Sequence, residues 1–237
     1  MIPKIIHYCW FGGNSKPKVL EENIKKWKKI LPSYEFIEWN ETNFDVNLFV
    51  YTKEAYFAKK FAFVSDVARL VALLKYGGIY MDTDIILMRD FPTDILDNEG
   101  FVGFEHADKY YVATSVIGSV KENKMLEDIL NLYRDNHFFN GFRFDFLTNV
   151  QRFTDYFEAR GVVCNNNIQK IPHFKIYPCS YFSNKDYITK KITCTPKSIA
   201  VHDFANSWSG GYSFREKVYS RYIVLKYIFK QFFLRWT

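Results

Sequence analysis

Two aspartates, Asp82 and Asp84, lie one residue apart in the apolar run 79–87 (IYMDTDIIL). The run predicts a strand, and because side chains alternate along a strand, we expect both carboxylates on one face. Two buried like charges lose hydration and repel each other, so they need a compensating cation. Carboxylate oxygens suit Mg²⁺ or Mn²⁺, and a metal held there can neutralise a departing diphosphate. The alternative is a strand end with two solvated aspartates.

A helix with an acid and a base is predicted directly before this strand. From Val67 onward, apolar residues recur at helical spacing, and Gly77-Gly78 ends the pattern. This helix is predicted to begin at Ser65, after a separate helical segment over 53–63. Asp66 and Arg69 are three residues apart, so both lie on one side of its first turn. They form either a local ion pair or a part of the same site as the two aspartates.

The N-terminal segment predicts an α/β fold with parallel strands. A strand over 4–11 ends at Gly12-Gly13, a helix follows Pro17, and a second strand covers 35–39. In open α/β sheets, ligands bind beyond the carboxyl ends of the strands, where the first turn lies. Trp10 offers a flat face for a nucleobase, and Gly12 lets the backbone approach a ligand closely. The alternative for Trp10 is a place in the core.

Composition limits the remaining possibilities. A net charge of +6 in 237 residues is modest and does not favour nucleic acid as a partner. The four cysteines form no metal-ligand pair, which indicates reduced thiols. The start of the chain lacks the apolar stretch of a signal peptide, and no run is long enough to span a bilayer. We therefore expect a cytoplasmic protein.

Three blocks of the sequence resemble the DXD-containing sugar transferases of glycosyltransferase family 32. That family includes capsular polysaccharide glycosyltransferases and yeast-type α-mannosyltransferases, and it is related to the glucosyltransferase domains of the large clostridial toxins. The blocks are 2–13 (IPKIIHYCWFGG), 65–84 (from SDVARL to GGIYMDTD) and 202–209 (HDFANSWS). The resemblance implies a GT-A fold, which is a Rossmann-like mixed sheet flanked by helices. It also implies a nucleotide-sugar donor and transfer with retention at the anomeric carbon.

The resemblance also implies roles for individual residues. The residues implied to bind the donor are Tyr8, Trp10, Gly12, Asp66, Arg69, Tyr80, Asp82, Asn206, Ser207 and Trp208. Those implied to be catalytic are Asp82, Asp84 and Arg69. Asp84 and Asp82 would hold Mn²⁺ or Mg²⁺ with a further ligand from the closing block. His202 fits that position by chemistry, while Asn206 and Ser207 stay open.

We expect a mechanism without a protein nucleophile, in which the metal and Arg69 stabilise the leaving diphosphate. A double displacement would instead need a carboxylate under the sugar. Glu105 and Asp145 are the candidates for it, and surface charge is their alternative interpretation. The residues expected to touch the acceptor follow a predicted strand end, namely His106, Asp108, Tyr110 and Tyr111.

The expected function is transfer of a hexose from a nucleotide-sugar to a glycan or lipid-linked oligosaccharide in surface polysaccharide biosynthesis. A UDP-sugar is favoured as donor, and GDP-mannose comes next. Three alternatives stay open: a toxin-like enzyme that glycosylates protein, a metal-dependent phosphodiesterase or nuclease, and a non-catalytic sugar-binding relative. The single acidic pair disfavours the nuclease, because two-metal sites need more ligands.

The C-terminal residues differ from the rest in charge. We predict a catalytic domain over 1–212 and a basic, aromatic helix over 213–237. Six bases and one acid, Glu216, place five of the six net positive charges within 215–237. Apolar residues step by four and three along one face, namely Val218, Tyr222, Leu225, Phe229, Phe232 and Trp236. This helix is either docked on the domain or bound to an anionic membrane surface on its cytoplasmic side.

Overall fold

The computed structural model describes residues 1–204 and 214–234, the latter with side chains from 218 to 232. The strands are β1 (Ile5–Cys9), β2 (Glu35–Trp39), β3 (Gly78–Met81), β4 (Ile85–Leu87), β5 (Gly100–His106), β6 (Tyr110–Ser119), β7 (Phe139–Asn140), β8 (Arg143–Phe144), β9 (Gln169–Ile171), β10 (Phe174–Tyr177) and β11 (Ala200–His202). The helices are α1 (Lys18–Ile30), α2 (Val50–Phe57), α3 (Phe61–Tyr76), α4 (Thr93–Leu96), α5 (Lys124–Arg134), α6 (Asn149–Glu158), α7 (Cys179–Phe182) and α8 (Phe214–Leu234).

A seven-stranded mixed sheet lies at the centre, in the order β2-β1-β3-β6-β5-β10-β9. β1 is parallel to β2 and β3, whereas β6 is antiparallel to both β3 and β5. Buried side chains alternate between two core clusters, one with α2, α3, α5 and α6 and the other with α1, α4 and α7. The predicted α/β architecture, a mixed sheet flanked by helices with a C-terminal helix, is therefore confirmed.

The apolar run 79–87 forms two strands rather than the single strand that we predict from the sequence. β3 ends at Met81, and a turn follows in which the Ile85 N–H donates to the Asp82 carbonyl at 3.0 Å. β4 then leaves the central sheet and pairs antiparallel with β11. Asp82 and Asp84 consequently lie in the turn, and the prediction that they share one face of a strand is wrong.

The helix that carries Asp66 and Arg69 begins earlier than its apolar pattern indicates. The segment 53–63, predicted as one helix, is divided, because α2 ends at Phe57 and Lys59 has a φ of 57°. α3 then starts at Phe61, so Asp66 and Arg69 lie within it rather than in its first turn. The two residues still share one side of the helix, as their spacing predicts.

The C-terminal helix α8 packs on the rest of the protein through one face. Ile223 and Val224 are buried, and the Tyr227 ring lies 5.1 Å from the rings of both Phe57 and Phe139. Within 1–204 and 214–234, no helix is long and apolar enough to cross a membrane. The predicted division at residue 212 falls outside the described residues and stays a prediction.

Candidate functional site

The turn between β3 and β4 brings three potential metal ligands together. The β4–β11 register places Ile85 opposite His202, and the Asp203 N–H donates to the Asp84 carbonyl at 3.2 Å. His202 Nε2 lies 3.6 Å from Asp84 Oδ1. One ligand atom from each of Asp82, Asp84 and His202 falls within 4.8 Å of the others. The residues implied to bind the metal are therefore neighbours, although His202 is distant in sequence.

The charges around this cluster favour a cation. Burial alone would lower the pKa of His202, but the carboxylates of Glu105 and Asp84 outweigh burial and raise it. Burial raises the pKa of Asp82, and Arg69 opposes that effect. Carboxylate oxygens with one imidazole nitrogen form a donor set that Mn²⁺ or Mg²⁺ accepts. The residues present therefore fit a divalent metal.

Glu105 faces the histidine of this cluster from the end of β5. Its Oε2 lies 3.7 Å from His202 Nδ1, beyond hydrogen-bond distance. Both atoms are buried and have no hydrogen-bond partner. A carboxylate behind the second nitrogen of a metal-binding histidine fixes the tautomer and orientation of the ring. Glu105 is placed to do this when the pair closes by a few tenths of an ångström.

Arg69 is buried and held on all sides beneath the turn. Its Nη2 lies 3.0 Å from Asp66 Oδ1 and 3.5 Å from Asp82 Oδ1, and its Nη1 donates to the Thr114 carbonyl at 2.8 Å. The guanidinium also stacks 4.4 Å from the centre of the Tyr80 ring. Asp66 and Arg69 thus form a local ion pair, and the same ion pair is also part of the candidate site. A positive charge fixed in this way needs little reorganisation to meet a developing anion.

Two neighbours of Arg69 are buried with it. Burial raises the pKa of Asp66 to about 6, although Arg69 acts in the opposite direction. The Tyr80 hydroxyl donates to Asp82 Oδ1 at 2.7 Å. Tyr80 lies beneath the turn and does not line the adjacent cavity, so the structure places it where it orients Asp82.

The loop after β1 lies at the same edge of the sheet as the two aspartates. His7 pairs with Tyr80 in parallel register, so the ends of β1 and β3 lie side by side. Trp10 is half-buried, and its indole N–H donates to the Asn14 carbonyl at 2.7 Å. Gly12 has a φ of 102°, and a Cβ there would meet the Phe61 ring at 2.4 Å. Tyr8, in contrast, packs in the core cluster of α1 against Trp27.

A cavity of about 680 Å³ opens beside the cluster. Asp66, Arg69, Asp82, Asp84, Glu105 and His202 line one part of it. Of the residues predicted to touch the acceptor, Asp108 and Tyr111 line the cavity and are hydrogen-bonded to each other at 3.0 Å. His106 and Tyr110 instead line a smaller pocket beside Asp186. Asp145 is paired with the buried Arg152 and does not line the cavity.

Several cavity residues carry no signal in the sequence. Tyr187 packs edge-on against Phe204, whose ring lies 3.9 Å from the His202 ring. Asn149 and Gln151 come from the start of α6, where the Thr148 hydroxyl caps the helix by accepting from the Gln151 N–H. Among these cavity residues, only Phe204 could have been predicted from the sequence, because it lies two residues after His202. Asn206, Ser207 and Trp208 lie outside the described residues.

Comparison with known proteins finds a family match over part of the chain. Residues 17–102 match the family described as "Glycosyltransferase sugar-binding region containing DXD motif". This match includes Asp66, Arg69 and both aspartates of the turn, and it confirms the resemblance to the DXD-containing sugar transferases.

Two curated proteins are similar over part of their length. Inositol phosphoceramide mannosyltransferase 3 of Schizosaccharomyces pombe is 32% identical over 90 residues, 35% of this chain and 24% of that protein. Subversion of eukaryotic traffic protein A of Legionella pneumophila is 26% identical over 128 residues, 43% of this chain and 20% of that protein. The chain thus spans about a quarter or less of the length of these relatives.

Two solved structures are also similar. One is a glycosyltransferase involved in the glycosylation of the major capsid of PBCV-1, with a TM-score of 0.49 and 12% identity over 87% of this chain and 96% of that one. The other is the PaToxG glycosyltransferase, with a TM-score of 0.46 and 18% identity over 67% of this chain and 69% of that one.

Proposed function

We propose that this protein is a retaining, metal-dependent hexosyltransferase. It moves a hexose from a nucleotide-sugar, with UDP-sugars favoured over GDP-mannose, to a glycan or lipid-linked oligosaccharide in surface polysaccharide biosynthesis. The observation that carries the proposal is the convergence of Asp82, Asp84 and His202 within 4.8 Å, beside the cavity that Arg69 lines. The family match over 17–102 supports the transferase class.

The residues of the turn would bind the diphosphate side of the donor. Asp84, Asp82 and His202 would hold Mn²⁺ or Mg²⁺, which when bound neutralises the negative charge of the leaving diphosphate. Arg69, fixed by Asp66 and the Thr114 carbonyl, adds a second positive charge at the same place. Because both charges are in position before reaction, they stabilise the departing group without reorganisation.

The nucleobase end of the donor would lie at the loop after β1. Trp10 follows β1 at the sheet edge that carries Asp82, and its ring is half-buried with the Lys16 Nζ at 5.9 Å from its centre. A flat indole at this edge of the sheet suits stacking on a base. The donor contacts of Tyr8, Gly12, Asn206, Ser207 and Trp208 stay predictions from the resemblance.

The acceptor hydroxyl would attack from the side that the diphosphate leaves, and its proton would pass to a departing phosphate oxygen. Asp108 and Tyr111 line the part of the cavity that an acceptor would enter. Of the two carboxylates considered for a double displacement, Glu105 lines the cavity and Asp145 is engaged by Arg152. The placement of Glu105 behind His202 favours a positioning role, and therefore a mechanism without a protein nucleophile.

A product-release assay tests the proposal. Purified protein with Mn²⁺ is offered UDP-glucose, UDP-galactose, UDP-N-acetylglucosamine and GDP-mannose in turn, and nucleoside diphosphate is measured. We expect release from one donor, its loss with a chelator, and a drop of about 100-fold or more in Asp84→Asn. Asp155→Asn, which changes an exposed carboxylate on α6, is the matched control and should keep wild-type rates.

Four outcomes would contradict the proposal or a part of it. Wild-type rates in Asp84→Asn would remove the site assignment, and hydrolysis of phosphodiesters without any nucleotide-sugar turnover would favour the nuclease class. Release from no donor, with binding retained, would favour a sugar-binding protein. NMR of the product should show the donor's anomeric configuration, and inversion would remove the retaining mechanism.

A lipid-linked acceptor would bring the enzyme to the cytoplasmic face of a membrane. The sequence offers the basic and aromatic residues 215–237 for contact with anionic lipid there. This part of the proposal concerns location, and it is separate from the chemistry of the cavity.

A further inference from the structure

The C-terminal helix α8 has apolar residues on two opposite faces. The inner face packs on the domain through Ile223, Val224 and Tyr227, and the Ser220 hydroxyl donates to the Phe142 carbonyl at 3.2 Å. At 3.6 residues per turn, these positions span an arc of about 100°. One face is therefore sufficient to hold the helix on the protein.

The outer face carries the row of apolar residues that the sequence pattern identifies. Val218, Tyr222, Leu225 and Phe229 are between 45% and 62% exposed. They fall within an arc of about 60°, almost diametrically opposite the inner face. Single exposed apolar residues are common on soluble proteins, whereas a contiguous row of them marks an interaction surface.

Basic residues flank this row on both sides. Arg221 and Lys226 lie about 60–80° from its centre, one on each side, and both are exposed. No acidic residue occurs between 218 and 232. An apolar row between bases is the pattern of a helix that lies in a lipid headgroup layer.

We propose that the outer face of α8 binds an anionic membrane surface, with the apolar row among the headgroups and the flanking bases on lipid phosphates. A second copy of the chain is a poorer occupant, because a symmetric dimer would bring the same bases together without an acid to oppose them. The inference deepens the membrane contact included in the proposed function by naming the helix face that makes it, and its chemistry is independent of the active site.

Vesicle sedimentation of the full chain tests this. The vesicles are phosphatidylcholine alone, and phosphatidylcholine with an equal part of phosphatidylglycerol. We expect binding to the anionic vesicles only. Arg221→Ser with Lys226→Ser should weaken it roughly 25-fold, since each base near an anionic surface contributes roughly fivefold. Tyr222→Ser with Phe229→Ser should weaken it roughly tenfold or more through lost apolar burial.

The matched control is Val163→Ser with Ile168→Ser, which changes an equally exposed apolar pair elsewhere on the surface. It should bind as the wild type does. Equal binding by all variants, or no binding to either vesicle, would overturn the proposal. The proposal would also be overturned if light scattering showed that the wild type is a dimer and that the Tyr222→Ser, Phe229→Ser variant is a monomer. Transfer to a soluble acceptor should be unchanged in every variant, so failure here leaves the proposed function intact.

Discussion

Replacing Asp66 by asparagine should change how the stability of the protein depends on pH. In the folded protein, burial raises the pKa of Asp66 to about 6 from an ordinary value of 3.8. The folded state therefore holds a proton on Asp66 more tightly than the unfolded chain does. It follows that this group costs stability above pH 6, and that the cost disappears as the pH falls toward 4.

The size of the effect follows from the two pKa values. At about 1.4 kcal/mol per pH unit, their difference corresponds to about 3 kcal/mol. The asparagine side chain would keep the shape of the aspartate and a carbonyl oxygen for Arg69, but it does not titrate. Asp66→Asn should thus raise the free energy of unfolding at pH 7.5 by up to about 3 kcal/mol, and the gain should vanish near pH 4.

Chemical denaturation at several pH values measures the difference in unfolding free energy between Asp66→Asn and the wild type. The contributions of the other titrating groups cancel, because both proteins contain them. Asp108→Asn is an informative control, because the hydrogen bond from Tyr111 lowers the pKa of Asp108. That variant should lose stability at neutral pH and regain it on acidification, which is the opposite sign. If Asp66→Asn were less stable than the wild type at pH 7.5, the ion pair with Arg69 would outweigh burial and our reasoning would be refuted.

Three further variants test other parts of the site. Trp10→Ala should raise the donor KM more than it lowers kcat, because stacking on the base stabilises the bound donor and the transition state equally. An unchanged KM in steady-state kinetics would count against stacking. Glu105→Gln should weaken Mn²⁺ binding about 10–100-fold in titration calorimetry, because an uncharged amide orients His202 less firmly than a carboxylate does; undiminished affinity would remove the positioning role. Gly12→Ala should lower the free energy of unfolding by about 1–3 kcal/mol, since the new Cβ would meet the Phe61 ring and the backbone has positive φ; a melting temperature equal to that of the wild type would show that the loop relaxes freely.

The sequence singled out the candidate site residues, but it did not predict the backbone conformation of the two aspartates among them. Asp82 and Asp84 were identifiable from their spacing and apolar context, yet they lie in a turn. Both sides of that turn are buried strands, so the hydrophobic pattern runs through it without a break. The break arises because β4 pairs with β11, a long-range event that no local pattern records.

The C-terminal helix shows a second limit of periodicity. Its regular row of apolar residues predicted a helix, and a helix is present. The pattern could not show which face packs on the domain, because Ile223, Val224 and Tyr227 form a second apolar face opposite the first. Side-chain packing on α2 and β7 decided between the two faces. Tyr187 is similar, since it reaches the cavity from a segment without periodicity.

The pairing of β4 with β11 also sets the time at which the site can exist during synthesis. His202 leaves the ribosome well over a hundred residues after Asp84, which is about 6–24 s at about 5–20 residues per second. For most of that interval, the turn and Glu105 are already translated, but the strand that supplies the imidazole is not. The nascent chain therefore acquires its complete set of metal-ligating side chains only when nearly all of the cavity wall is available to surround them.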